Sequence, residues 1–141
     1  MSIKFENGLI RISEKAIEEI AKKKGFNLKC KIEEGGIKID LEKEFLGMEV
    51  PVRIFIPKIE LEEKILKIIN FKINLSSMPI PTVSILPFIK KYPYLALDSE
   101  NSILNINLKG IIPDYIDLKI EEILLKNGEI EAKINNLTIT L

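Results

Sequence analysis

The sequence predicts an α+β fold. It is a mainly antiparallel, strongly twisted or curved sheet, with one firm helix over residues 14–24 and a short second helix over residues 82–91 packed on its apolar face. Three observations predict it. Apolar and polar residues alternate with a period of two over much of the chain, as in strands with one wet face. One early stretch repeats with the period of a helix instead. Asn-Gly and Gly-Gly pairs punctuate the alternating runs at hairpin spacing.

Residues 2–5 and 9–12 are short alternating pieces around Glu6-Asn7-Gly8, which reads as a hairpin turn. Ser13 is placed to cap the helix that follows and Gly25 to end it. Between them Ala16, Ile17, Ile20 and Ala21 share a face, and Lys22, Lys23 and Lys24 suit the negative end of the helix dipole. Phe26, Leu28, Cys30 and Ile32 then alternate with Asn27, Lys29, Lys31 and Glu33. Gly35-Gly36 breaks the run, and Ile37, Ile39 and Leu41 resume it, so the two runs form an antiparallel pair.

Met48, Val50, Val52, Ile54 and Ile56 form a third run, in which Pro51 and Pro57 predict an edge or a bulge. Residues 59–75 fit helix and strand patterns alike. The clean alternation of Asn70, Lys72 and Asn74 favours a strand at least over 68–75. Residues 76–81 read as a loop. Residues 82–91 read as the short helix, with Ile85, Leu86 and Ile89 inward and Pro87 in its first turn. Strands over 94–97 and 103–108 flank a polar turn, and residues 110–114 make a corner. Ile116, Leu118 and Ile120 alternate with Asp117, Lys119 and Glu121. Asn127-Gly128 is a second hairpin signal before Ile130, Ala132 and Ile134, and Leu137, Ile139 and Leu141 finish the chain.

The 141 residues suit one domain, with 46% hydrophobic and 30% charged residues marking a folded chain. Ile-, Lys- and Glu-rich usage fits an AT-rich or thermophilic source. Twenty-one acids balance 21 bases, and Arg occurs only at Arg11 and Arg53, which argues against nucleic acid as a partner. A single cysteine rules out an internal disulfide. No apolar run is long enough to span a bilayer and no secretory leader is visible at residues 1–6, so the expected location is cytoplasmic.

Without histidine there is no histidine general base, triad or metal ligand. Cys30 lies on the apolar face of its strand, with Lys29 and Lys31 on the other, and reads as a small core residue. The acid pairs Glu33-Glu34, Glu62-Glu63 and Glu121-Glu122 read as solvated charge. Asp98, Glu100 and Asn101 lack the spacing and glycine of an EF-hand loop. Phosphate-binding and dinucleotide fingerprints are absent as well. The leading expectation is a non-catalytic chain with no catalytic residue, no metal site and no cofactor; an enzyme without histidine, using carboxylates or Lys, is the third alternative.

Residues 64–97 contain no Asp or Glu, only Lys64, Lys67, Lys72, Lys90 and Lys91 as charges, and most of the prolines. Within them the candidate ligand-binding mouth is Met78, Ile80, Ile85, Phe88, Ile89, Lys90, Lys91, Tyr92 and Tyr94. Apolar groups framed by lysines suit a lipid with an anionic headgroup or peripheral contact with a membrane. They equally suit the core plug at one end of a sheet.

The segment 95–141, LALDSENSILNINLKGIIPDYIDLKIEEILLKNGEIEAKINNLTITL, is a strand pair, a proline corner, a long strand, an Asn-Gly turn and a long closing strand. In that order it resembles the bacterial tubular lipid-binding (TULIP-type) proteins. The resemblance implies a long curved sheet wrapped around a helix, here residues 14–24, with an apolar groove for acyl chains. For a chain of this length it implies a half-tube that forms a homodimer. The leading expectation is a binding module for lipid or another apolar small molecule, in a groove between curved sheet and helix. The alternative is a structural or self-assembly protein whose segment 76–95 is the interface.

Overall fold

A computed structural model describes residues 1–141, apart from the side chain of Phe45. Its elements are β1 (Ser2–Ser13), α1 (Glu14–Lys23), β2 (Leu28–Glu33), β3 (Gly36–Phe45), β4 (Met48–Ile56), β5 (Lys58–Glu62), β6 (Ile65–Ile69) and β7 (Lys72–Leu75). They continue with β8 (Met78–Ile80), α2 (Leu86–Ile89), β9 (Leu95–Asp98), β10 (Ile103–Asn107), β11 (Ile116–Lys126) and β12 (Glu129–Thr140). Short 3₁₀ turns cover Thr82–Ile85 and Leu108–Gly110. All strand pairs are antiparallel, in three sheets ordered β1-β12-β11, β2-β3-β4-β7-β8 and β5-β6-β10-β9.

This corrects the predicted fold class. The chain is mostly antiparallel sheet with two short helices, not a sheet packed against a firm helix. Sheet covers sheet. In the five-stranded sheet, Ile32, Ile37 and Ile56 form one cross-strand row, and Cys30, Ile39, Ile54, Ile73 and Ile80 form the next. Facing residues of an antiparallel ladder share a side of the sheet, so each row is a single apolar stripe. The stripes pack with Phe71 and with Ile59, Ile68, Leu97 and Leu104, themselves one row of the four-stranded sheet.

One bent hairpin joins these two sheets. Phe55 faces Lys72 and Lys58 faces Ile69, so the register is the same on both sides of the bend. At the bend Pro57 has no N–H to donate, and Asn70 takes a left-handed backbone with φ 54. The strand predicted through 68–75 is therefore two strands, β6 and β7. Its hairpin closes at Glu63-Lys64, where φ at Glu63 is 57.

Helix α1 forms where the pattern places it. The Ser13 side chain accepts from the Ala16 N–H at 3.1 Å, and Gly25 follows the end with φ 89. It runs beside the edge strand β2 instead of lying across an apolar face. The Glu18 Oε2 accepts from the Cys30 N–H at 2.9 Å and the Glu14 Oε2 from the Ile32 N–H at 2.6 Å. Four residues of helix advance about 6 Å. Two residues of strand advance about 6.6 Å. Carboxylates at i and i+4 thus meet successive outward N–H groups of an edge.

Three local expectations also change. Asn7-Gly8 is no hairpin turn. Asn7, with φ 54, creases a continuous β1 that pairs with β12 on both sides. Residues 76–81 are not a loop. Ser76 and Ser77, with φ 50 and 67, make a tight turn into β8. The helix predicted over 82–91 is a 3₁₀ turn followed by a single α-turn, because Pro87 fits only the first turn and Pro93 stops any continuation. Asn127-Gly128 does close a hairpin, joining β11 to β12 with φ 84 at the glycine.

Candidate functional site

The three-stranded sheet has long strands, and only part of it reaches the core. In β11, Ile116, Leu118 and Ile120 alternate onto one face. Ile116 faces Ile139 and Ile139 faces Ile3, while Leu118 faces Leu137 and Leu137 faces Phe5. Two apolar rows therefore cross the whole sheet. At their outer end Ile3 keeps 43% and Phe5 58% of its surface exposed. A third row, Ile120 with Ile134, lies at the crease, where the ladder shifts register and Ile134 is buried.

Against β11 this floor meets a second wall. Leu61 at the end of β5 and Leu108 and Ile112 in the connection to β11 enclose, with Ile116, Leu118 and Ile120, an open cleft of about 400 Å³. Glu63, Lys64, Lys109, Asp114 and Asp117 surround the apolar groups. The walls are tied together. The Lys64 Nζ lies 3.4 Å from the Asp117 Oδ1, and the Leu108 N–H donates to the Lys64 carbonyl at 2.9 Å. Gly110 lets this connection approach Tyr94, since a Cβ there would fall 2.7 Å from the Tyr94 Cβ.

A larger concavity, about 630 Å³, lies along the polar side of the five-stranded sheet and includes Lys29, Asp40, Glu42, Glu49, Arg53 and Asn74. Its charges answer one another. The Arg53 Nε donates to the Asp40 Oδ1 at 2.7 Å, and that hydrogen bond and charge raise the guanidinium's pKa further. A hydrogen bond with Glu42, then its charge, raises the Glu49 carboxyl. The Asp98 carboxyl is lowered by the Asn101 side chain and then its backbone N–H, which close the turn after β9. Among the described residues, no group of three or more His, Cys, Asp or Glu could hold a metal ion, and no helix is long and apolar enough to cross a membrane.

Cys30 is 7% exposed. Burial first, then the charges of Glu14 and Glu18, push its thiol up to about 11 from 9.0. It is a protonated core residue, the opposite of an activated nucleophile.

The residues predicted as a mouth divide between core and surface. Ile80 and Ile85 pack on the core and Ile89 is buried. Met78 on β8 and Phe88 on α2 are exposed, and so are Lys90, Lys91 and Tyr92. The Lys43 Nζ sits 3.8 Å above the Phe88 ring and the Lys91 Nζ 5.8 Å from it. Tyr92 and the half-buried Tyr94 lie with rings 5.8 Å apart. None of these side chains lines the cleft against β11.

Neither the cleft nor its floor follows from any one strand read alone, although the sequence holds a signal for them. The apolar phase slips by one residue in all three strands. Ile3 and Phe5 give way to Ile10 and Ile12, Ile116, Leu118 and Ile120 to Ile123 and Leu125, and Ile134 to Leu137 and Ile139. One crease crossing a three-stranded sheet produces that common slip. Comparison with protein-family models, with curated proteins and with solved structures finds no match to this chain.

Proposed function

We propose that the chain is a non-catalytic binding module for a lipid or another apolar ligand, held in the cleft between β11 and the Leu61–Leu108–Ile112 wall. One observation carries the reading: the apolar rows that floor the cleft run on across the half-buried Leu137 and Ile139 of β12 to Ile3 and Phe5, which are exposed to solvent. Soluble proteins rarely leave such a contiguous apolar surface without a use for it. Lys109 beside the cleft offers a cation to an anionic headgroup, Lys64 being paired with Asp117, while the acyl part lies along the floor. Ile116, Leu118, Ile120, Leu137 and Ile139 of the floor lie in 95–141, the segment whose order of elements prompted the tubular lipid-binding resemblance.

A second reading concerns delivery. Phe88 between Lys43 and Lys91, with Met78 exposed on β8, suits contact with an anionic membrane surface. Co-sedimentation with phosphatidylserine vesicles tests that contact, and salt-sensitive binding that Lys91→Glu weakens supports it. For the ligand itself, native mass spectrometry of the purified protein, followed by organic extraction, is the direct test. A retained acyl lipid, lost in Leu118→Glu, supports the proposal. Bare protein that takes up no added fatty acid or phospholipid contradicts it.

A further inference from the structure

We propose that β1 is a self-complementary edge through which two copies of this chain join their three-stranded sheets into one six-stranded sheet, with Phe5 on the two-fold axis. The inference rests on the edge of the sheet and not on the ligand reading of its face. β1 is the outer strand of its sheet, twelve residues long and exposed throughout. A bare edge invites pairing with another strand, and folds commonly cover or blunt it. Here the edge of β2 is covered by Glu14 and Glu18 of α1. Among the described residues no strand pairs with the outer side of β1.

The backbone directions select which half of β1 is available. The Met1 carbonyl accepts from the Leu141 N–H at 2.9 Å, so odd residues before the crease turn their polar groups toward β12. Ser2, Lys4 and Glu6 therefore turn theirs outward. Beyond the crease the parity reverses, because the Glu14 N–H donates to the Gly128 carbonyl at 3.1 Å.

Charge then selects the register. With Phe5 opposite Phe5 of the second copy, Lys4 faces Glu6 of that copy and Glu6 faces its Lys4. Both are outward-turning residues, so each pair exchanges two backbone hydrogen bonds. The Phe5 rings, in a non-hydrogen-bonded pair, meet at close range on the apolar side. Moving the axis to residue 4 sets Lys4 against Lys4, and moving it to residue 6 sets Glu6 against Glu6. Among the described residues neither Lys4 nor Glu6 has an ion-pair partner within the chain, whereas Arg11 already pairs with Glu129 and Glu131. Pairing at this edge also joins the apolar rows that end at Ile3 and Phe5 to their copies.

Sedimentation velocity across micromolar to submillimolar concentrations tests the proposal. Wild-type protein shifts toward twice the 16.1 kDa monomer. Lys4→Glu and Glu6→Lys each place like charges at both paired positions and weaken self-association by about tenfold or more. An equimolar mixture of the two variants then recovers the dimer, because every facing pair across the mixed edge is opposite in sign. That recovery also shows that both variants are folded. A wild type that stays monomeric, a single variant that still dimerises like the wild type, or a mixture that stays monomeric overturns the proposal.

Discussion

Truncating Glu14 to Ala removes the carboxylate that receives the Ile32 N–H at 2.6 Å. Ile32 is the most buried large side chain of the core, at 1% exposure, so its N–H has little access to replacement water. A hydrogen bond to a charged acceptor contributes about 1.5–3 kcal/mol, and a stranded buried donor lies at the upper part of that range. Loss of an acid from the first turn of α1 adds about 0.3–1 kcal/mol through the helix dipole. The expected cost is about 2–4 kcal/mol, or roughly 5–12 °C in Tm for a chain of this size. Glu14→Gln keeps an acceptor oxygen and is expected to cost about 1 kcal/mol. Lys15→Ala, on the same turn and exposed, is the control. Urea unfolding followed by far-UV circular dichroism measures all three. If Glu14→Ala falls within about 0.5 kcal/mol of wild type, or matches Lys15→Ala, the helix does not hold the sheet edge through this contact and the reasoning fails.

Further outcomes follow from Cys30 and from two glycines. The Cys30 thiol is raised from 9.0 to about 11, so the folded state keeps a proton that the unfolded chain releases. Its contribution is present below pH 9 and is lost as the pH climbs toward 11, about 3 kcal/mol over the window. Native protein should resist thiol reagents at pH 8, while Glu14→Gln/Glu18→Gln brings the pKa down, as the pH dependence of thiolate absorbance would report. Gly36→Ala forces a Cβ to within 2.6 Å of the Ile56 carbonyl at φ 144 and should destabilise by about 2–4 kcal/mol. Gly8→Ala, with nothing within 4 Å, should stay within about 1 kcal/mol in the same melts.

Local pattern was legible wherever one residue decides one turn or one face. Cys30, Ile32 and Ile37 point inward as their alternation requires, Ser13 caps α1, and Gly128 turns the last hairpin. Position in the fold was less legible. Ala16, Ile17, Ile20 and Ala21 form a helical stripe, yet two are alanines and Ile20 is exposed, so the stripe can flank an edge but cannot cover a sheet. Nothing in the local pattern of Glu14 and Glu18 reveals that their spacing matches the N–H groups of β2. Asn7-Gly8 has the chemistry of a hairpin turn and of a bulge alike, because both need a left-handed residue, and only the long-range pairing with β12 decides. The acid-free stretch drew notice through composition. Lys64 and Lys67 find their acids in Asp117 and Glu62, outside the stretch, and Ile85 and Ile89 go to the core. The cleft draws on residues spread from Leu61 to Ile120, with a floor that continues to Ile3, so periodicity within any one window could not assemble it.

Titration of an environment-sensitive fluorescent long-chain fatty acid against wild type, Leu118→Glu and Phe88→Ser separates the cleft from the exposed patch as the ligand site. Leu118 lies in the cleft and Phe88 on the exposed α2 patch. A charge set into the apolar floor should weaken binding by about a hundredfold, whereas loss of the Phe88 ring should change it by less than about threefold. Saturable binding is expected for wild type and Phe88→Ser, and binding about a hundredfold weaker for Leu118→Glu. Absence of saturable binding, or binding that depends on Phe88 and survives Leu118→Glu, contradicts the proposal.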